Sequence, residues 1–258
     1  METRKEATLK NCENCRKKNL FRKTGRFVTV GGLQRREMVC RCGWIQLEEA
    51  PQEEVIPPKV LYFDIETSLI EMKVQTFDLR VRSGWLDWHE IEKSFYIISW
   101  AAAWVNDKPI KILSGAVTGE EAKERNDGRM LQGLWKLMEA ADYVVGHNSK
   151  SFDVKKVETR FMLNHMPAPA EFRQVDTLQI AKKRFRSESN ALAYWSKLFG
   201  GNPKDHMVRE DWIAVNEGCQ KTINKMRKYN KGDVREGVND LLNFMRYIES
   251  NGYSKLFR

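Results

Sequence analysis

Two carboxylates at the end of one strand-forming segment constrain this chain more than any other feature. In Val60–Thr67, a run of β-forming apolar and aromatic residues leads directly to Asp64 and Glu66. Side chains alternate between the faces of a strand, so the two acids are predicted to project from one face and Ile65 from the other. Adjacent carboxylates repel each other and resist desolvation unless a cation neutralises them. The segment therefore predicts either a metal site or a strand edge with solvated acids.

The charge balance favours a polyanionic partner. The 258 residues carry a formal net charge of +9 at pH 7, and a basic surface around an acidic, metal-holding cluster is the electrostatic layout that a nuclease needs. The chain lacks an apolar run of about eighteen residues, so we expect no membrane contact. Its charged N-terminus is unlike a secretory signal, which predicts a cytoplasmic location. There, the five cysteines are expected to be reduced.

Four of the cysteines form two close pairs near the N-terminus. Cys12 is paired with Cys15, and Cys40 with Cys42, across a basic stretch that contains a strand-like segment and a Gly-Gly turn. Four thiolates brought together by a hairpin can close a tetrahedral zinc site. A module with so few large apolar side chains would need such a metal for stability. The alternative is a loose basic arm with scattered thiols, and Cys219 is interpreted as a lone core cysteine.

The segment 35–44 resembles the second half of a zinc ribbon, in which glycine follows the last ligand. The resemblance implies one structural Zn²⁺ on the four paired cysteines. The basic residues of this module would contact phosphates or form a solvated face. An acidic, proline-containing stretch follows, which marks a boundary. We therefore predict a zinc-ribbon-like basic module at 1–50, a linker at 51–58 and a second domain at 59–258.

The second domain has the pattern of an α/β protein. Strand-like apolar segments lie at 60–67, 95–105, 109–113, 142–146 and 171–177. Helical spacing of apolar residues predicts helices at 120–141, 178–185, 191–199, 217–228 and 232–250. The two last helices are predicted to be separated by a break at 229–233. Strands in the first half and helices in the second indicate a mixed sheet flanked by helices.

Three acidic segments follow one another in a fixed order. They are Asp64-x-Glu66 on a strand, Asn148-x-x-x-Phe152-Asp153 at a strand-to-helix turn, and Tyr229-x-x-x-Asp233 near the end of the chain. The four-residue separation in the last places the phenol and the carboxylate on one helix face. Taken alone, Asp153 would be a carboxylate that complements a helix dipole, and Asp176 is interpreted as a helix cap. The ordered set favours a metal site.

The ordered segments resemble the motifs of the RNase H-like 3′–5′ exonucleases of the DnaQ-like superfamily, the type with four acids and a tyrosine. The resemblance covers residues 57–250 and is to the branch related to proofreading domains of family B polymerases, with segment 229–234 typical of stand-alone and phage members. It implies an RNase H-like α/β fold, an exonuclease acting on nucleic-acid 3′ ends with DNA favoured, and a bacterial or phage-infected cell. Proofreading would then need a replication or repair partner in trans.

The resemblance also implies a role for each matching residue. Two Mg²⁺ or Mn²⁺ ions would be held by Asp64, Glu66, Asp153 and Asp233. The ions would activate a water molecule and stabilise the departing 3′ oxygen. Tyr229 would orient the attacking water, while Asn148 and Phe152 would line the substrate cleft.

Alternatives remain open from the sequence. His206 and Asp211 fit a histidine-type third motif, but the residues after Asp211 are not expected to continue as the long helix that should carry it, so we prefer the tyrosine motif. A structure-selective endonuclease would use the same acids. A catalytically silent nucleic-acid-binding adaptor would keep only the fold, and the intact acid set argues against it.

Overall fold

The structure is a computed structural model that describes residues 7–16, 18–30, 33–49, 57–73, 88–201 and 207–250. The polypeptide divides into two compact units, Met1–Ile56 and Pro57–Arg258. None of the helices in the described part of the chain combines the length and the apolar character needed to cross a membrane.

The N-terminal unit is an antiparallel meander of four strands. They are β1 (Ala7–Asn11), β2 (Lys18–Val30), β3 (Leu33–Val39) and β4 (Ile45–Glu49), which pair in sequence order. The β1–β2 and β3–β4 turns lie at the same end of such a meander, and each turn carries one cysteine pair. Among the described residues, the buried apolar cluster of this unit consists of Cys12, Met38 and Cys40, with Cys15 packed against it.

The second unit contains a five-stranded mixed sheet. The seven strands described in this unit are, in chain order, β5 (Val60–Thr67), β6 (Glu71–Met72), β7 (Ile91–Lys93), β8 (Ile97–Trp104), β9 (Leu113–Ala116), β10 (Tyr143–Gly146) and β11 (Arg173–Asp176). β6 and β7 form a separate ribbon, and the other five have the spatial order β11-β10-β5-β8-β9. β5, β10 and β11 are parallel, whereas β8 and β9 pair antiparallel. The predicted α/β fold with a mixed sheet is confirmed.

Seven α-helices are described around this sheet. They are α1 (Gly119–Glu124), α2 (Gly128–Glu139), α3 (Asp153–Leu163), α4 (Thr177–Arg184), α5 (Leu192–Leu198), α6 (Arg209–Asn216) and α7 (Gln220–Ser250). The single helix predicted at 120–141 is two helices, because Arg125 ends α1 in a left-handed conformation. The strand predicted at 109–113 begins only at Leu113, since Pro109 has no N–H to donate to a ladder.

The predicted break at 229–233 was wrong, because α7 continues through it. Gly232 lowers helix stability by about 1 kcal/mol relative to alanine, but packing on both sides of it outweighs this cost. Met226 before the glycine and Val234 after it are fully buried. Tyr229 and Asp233 therefore lie on one continuous helix, one turn apart.

Alternate residues of β5 contribute to two cores. Leu61, Phe63 and Ile65 belong to a cluster that includes Val154 and Val157 of α3. Val60 and Tyr62 pack instead in a cluster with Val234 and Val238 of α7. Asp64 and Glu66 continue this second row, so the strand period directs both acids toward the face that α7 covers.

Candidate active site

Three carboxylates converge where the end of β5 meets α7. One carboxylate oxygen each from Asp64, Glu66 and Asp233 lies within 4.8 Å of the other two. Asp64 and Glu66 are partly buried, and Asp233 is buried. The predicted common face of the two β5 acids is confirmed, and α7 supplies the third acid from the opposite side.

A buried amide supports this cluster and was missed by the sequence reasoning. Asn230 Nδ2 donates a hydrogen bond of 2.6 Å to Asp64 Oδ2, and the Asn230 side chain has no solvent exposure. A neutral donor beside the carboxylate fixes its orientation without adding charge. The sequence feature that could have indicated Asn230 is a polar stripe on the apolar face of α7. Asn230, Asp233 and Asp240 recur there at helical spacing among apolar residues.

Tyr229 lies half-buried beside the same acids. Burial raises the pKa of its phenol above the usual range, and the negative charges of Asp233, Glu66 and Asp64 raise it further. The Asp233 carboxylate also hydrogen-bonds with the phenol. The phenol therefore stays protonated at neutral pH and can act as a hydrogen-bond donor in the site.

Asp153 lies next to the cluster, outside the 4.8 Å group formed by the three acids. Its Oδ1 accepts a hydrogen bond of 3.2 Å from the backbone N–H of Ile65. Burial raises the pKa of the Asp153 carboxyl to about 7, and the nearby charge of Asp176 acts in the same direction. The structure thus brings Asp153 against the strand that carries Asp64 and Glu66. Its role as a metal ligand stays a prediction.

Asp176 holds the loop between β10 and α3. Its carboxylate accepts hydrogen bonds from Leu178 N and Gln179 N, which confirms the predicted helix cap. It also accepts from Asn148 N at 2.9 Å and Lys150 N at 3.2 Å. The loop that leads into Asp153 is therefore fixed by an acid from the neighbouring strand.

The two predicted substrate-binding residues lie on this loop. Asn148 adopts a positive φ of 65°, which asparagine tolerates better than most residues, and its Oδ1 accepts from Ser151 Oγ at 2.6 Å. Asn148 thus has an evident role in the turn. The ring of Phe152 is 40% exposed immediately before Asp153, so it is available to a ligand.

Asp211 of the competing histidine motif is not one of the three carboxylates that lie within 4.8 Å of one another. Asp211 accepts from Val208 N at the start of α6 and forms an ion pair of 2.7 Å with Lys225. These contacts explain why the pKa of Asp211 is lowered, chiefly by Lys225. His206 lies outside the described residues. The short α6 gives Asp211 a capping role.

The donor set of the carboxylate cluster suits a hard divalent cation. Magnesium prefers oxygen ligands at about 2.1 Å, which places octahedral ligand atoms about 3.0 to 4.2 Å apart. Three carboxylate oxygens within 4.8 Å of one another need only small movements to reach that geometry. A cation would also offset the mutual repulsion of three acids in a partly buried place.

The four-cysteine cluster of the N-terminal unit suits a softer ion. The Sγ atoms of Cys12, Cys15, Cys40 and Cys42 all lie within 4.8 Å of one another. Tetrahedral zinc with Zn–S distances of about 2.3 Å requires sulfurs about 3.8 Å apart, and the Cys12 and Cys42 sulfurs are 3.6 Å apart. The backbone N–H of Cys15 is the main cause that lowers the pKa of the Cys12 thiol to about 7, against the effect of burial. The cluster is compatible with a zinc-ribbon module.

A mixed five-stranded sheet flanked by helices, with carboxylates at the end of a central strand, defines an RNase H-like class of α/β protein. A protein-family model described as RNase_H superfamily matches residues 61–239. The chain therefore belongs to the RNase H superfamily, and the resemblance drawn from its motifs is confirmed at that level. The fold, the family and the carboxylate cluster support nuclease activity in general, which implies a nucleic-acid substrate.

The structure of the family B DNA polymerase from the hyperthermophilic archaeon Pyrobaculum calidifontis is similar in fold. The TM-score is 0.52 at 18% sequence identity, and the match covers 88% of this chain and 29% of the polymerase. The chain thus spans less than a third of that protein, and the similarity concerns the fold alone. Comparison with curated protein sequences gave no match.

Proposed function

We propose that this protein is a metal-dependent 3′–5′ exonuclease that hydrolyses phosphodiester bonds, with DNA as the favoured substrate. One observation carries the proposal: β5 and α7 bring three carboxylate oxygens within 4.8 Å of one another beside a phenol whose pKa is raised. Carboxylates alone would repel a phosphodiester. Cations bound to them would offset the negative charge that develops on a phosphorane-like transition state. The tyrosine distinguishes this arrangement from a plain acidic cluster.

Asp64, Glu66 and Asp233 would hold the divalent ions, with Asp153 as a further ligand. Bound Mg²⁺ or Mn²⁺ would supply Lewis-acid stabilisation and an activated water. The buried amide of Asn230 holds Asp64 in place. The O–H of Tyr229, which hydrogen-bonds with Asp233, would instead donate to the oxygen of the attacking water or of the scissile phosphate and so fix its direction of approach. Phe152 would pack against the terminal nucleotide.

The N-terminal unit would strengthen the hold on nucleic acid. Arg16, Arg26 and Arg41 are exposed on this unit, and exposed cations gain free energy from phosphates by releasing counterions. A structural Zn²⁺ on the four cysteines would fix the turns that carry Arg16 and Arg41. This role is separate from catalysis, because thiolate and carboxylate ligands select different metals.

A nuclease assay on defined substrates tests the proposal. With Mg²⁺ or Mn²⁺, we expect mononucleotides to be released from the 3′ end of a 5′-labelled linear strand, and EDTA to stop the release. Asp64→Ala should lower the rate by at least about a thousandfold, because several kcal/mol of transition-state stabilisation depend on the ions. Asp211→Ala is the matched control and should retain activity, since Asp211 pairs with Lys225 and is not one of the three grouped carboxylates.

The same assay separates the alternatives. Cleavage of a circular single strand, which has no 3′ end, would indicate an endonuclease. Binding of DNA without hydrolysis under all metal conditions would indicate an adaptor. Tyr229→Phe should slow hydrolysis while His206→Ala should not; the reverse result would overturn the tyrosine assignment.

A further inference from the structure

A lysine in the first turns of α3 rests on two aromatic rings. Lys156 Nζ lies 3.5 Å from the ring centroid of Phe95 and 5.6 Å from that of Phe152. A cation over an aromatic face is held by the quadrupole of the ring. Lys156 and Phe95 are partly buried, while Phe152 is exposed, so the stack is open to solvent on one side.

No carboxylate of the described residues forms an ion pair with Lys156. The contrast with Arg160, one turn later on α3, is informative: Arg160 binds Asp127 through two hydrogen bonds of 2.7 and 2.8 Å. Burial lowers the pKa of Lys156, and a position near a helix N-terminus is poor for a cation. Lys156 thus has an unfavourable site without an anionic partner from the described chain.

The stack lies at the same edge of the sheet as the candidate active site. Lys156 N donates to Phe152 O at 2.9 Å, which places the lysine one helical turn after Phe152 and three residues after Asp153. Phe95 precedes β8, whose residue Ile97 pairs with Thr67 at the end of β5. The two rings therefore join the start of α3 to the strand end that follows Asp64 and Glu66.

We propose that Phe95, Phe152 and Lys156 form a nucleotide subsite, in which Lys156 contacts a backbone phosphate of the substrate strand and the exposed Phe152 ring stacks on a base. The phosphate of the nucleic acid then provides the anionic partner that the described residues do not give Lys156. An aromatic face can stack on any base, and an ammonium group contacts only the phosphate. We therefore expect the subsite to bind single strands without sequence preference. This inference rests on the proposed function but concerns binding and not the metal-dependent step.

The salt dependence of binding tests the subsite independently of hydrolysis. Affinity for a single-stranded oligonucleotide is measured in EDTA at several salt concentrations, for the full chain and for Lys156→Gln. Each phosphate contact to a single strand contributes about 0.7 to the slope of log affinity against log salt. We expect Lys156→Gln to reduce the slope by about this amount and Lys156→Arg to restore it. Lys136→Gln, an exposed residue in the last turn of α2, is the control and should bind like the wild type.

The outcomes separate this inference from the proposed function. An unchanged slope in Lys156→Gln, with hydrolysis intact in the wild type, would overturn the subsite and leave the exonuclease proposal standing. Failure of the wild type to bind nucleic acid would overturn both. Phe152→Leu should weaken binding without a change of slope, because it removes stacking and not charge; a reduced slope would contradict the assigned division of roles.

Discussion

The two candidate metal sites are built in opposite ways. The four cysteines lie in two turns of a small sheet, and three of them (Cys12, Cys15 and Cys40) make up most of the apolar cluster described there. The three carboxylates lie at the border of extensive cores that include β5, α3 and α7. In the first case the metal would supply the fold's stability, and in the second the fold supplies the site's geometry. Close spacing of ligand atoms therefore does not reveal whether the fold depends on the metal or the metal site depends on the fold.

The largest effect is expected from removing one of the four cysteine ligands. Structural zinc contributes about 10 kcal/mol or more to small metal-dependent modules, so we expect Cys12→Ser to abolish the proposed zinc binding and to unfold the N-terminal unit. The helices of the second unit should be preserved. Metal analysis and residue-level hydrogen exchange measure both effects. Cys219→Ser is the control, since Cys219 lies outside the cluster; the prediction of a core position for it was wrong, because the residue is exposed. Retention of full exchange protection in the N-terminal unit of Cys12→Ser would show that its sheet is stable without metal.

Removal of the buried amide should affect the carboxylate site without unfolding it. Residues that orient metal ligands typically change metal affinity by about 10- to 100-fold, and we expect Asn230→Ala to weaken Mg²⁺ or Mn²⁺ binding to this extent. Calorimetric titration measures the affinity directly. Asn224→Ala, an exposed asparagine of α7, should leave the affinity unchanged. Equal affinities in the wild type and Asn230→Ala would show that Asp64 needs no such support.

The contact between β5 and α7 can be tested with two glycines of the same helix. A Cβ at Gly237 would lie 2.1 Å from Tyr62 Oη, whereas a Cβ at Gly232 would meet no atom within 4 Å. We expect Gly237→Ala to lower the free energy of unfolding by about 1–3 kcal/mol through overpacking. Gly232→Ala should raise it by up to about 1 kcal/mol, because alanine is the better helix former. Chemical denaturation measures both, and destabilisation by Gly232→Ala would argue against a continuous α7.

The smallest change in stability is expected at an acid that is neutralised by basic side chains of the protein, in contrast to the two candidate metal sites. Glu71 pairs with Lys93 at 2.9 Å and with Arg125, and the hydrogen bond from Lys93 is the main cause that lowers its pKa. The lowered pKa in the folded state means that this stabilisation is present above the ordinary glutamate pKa of about 4.3 and is lost as the pH falls through the folded value.

At neutral pH, Glu71→Gln should cost about 0.2–1 kcal/mol, since the pair is partly solvated and screened. The difference from the wild type should shrink as the pH falls below the ordinary glutamate pKa and vanish below the folded-state value, which denaturation curves at pH 7 and at a series of lower pH values would measure. Glu92→Gln, on the exposed strand β7, is the control. A cost that persisted at low pH would mean that the side chain acts by packing and not by charge.

The sequence by itself determined which residues could carry the chemistry. The strand period placed Asp64 and Glu66 on one face, the order of the acidic segments indicated the superfamily, and the spacing of the cysteines indicated a four-thiolate cluster. Each single motif is local, because it depends on side-chain alternation, helical periodicity or turn composition within about ten residues.

Only the tertiary structure decided how these residues meet. Asn230 reaches Asp64 from 166 residues away in sequence, and Asp153 accepts from Ile65 N across 88 residues. The continuity of α7 through Gly232 likewise depends on its packing against the sheet, which outweighs the local preference of glycine. Such contacts are set by the summed packing of distant segments, and no short window of sequence contains that information.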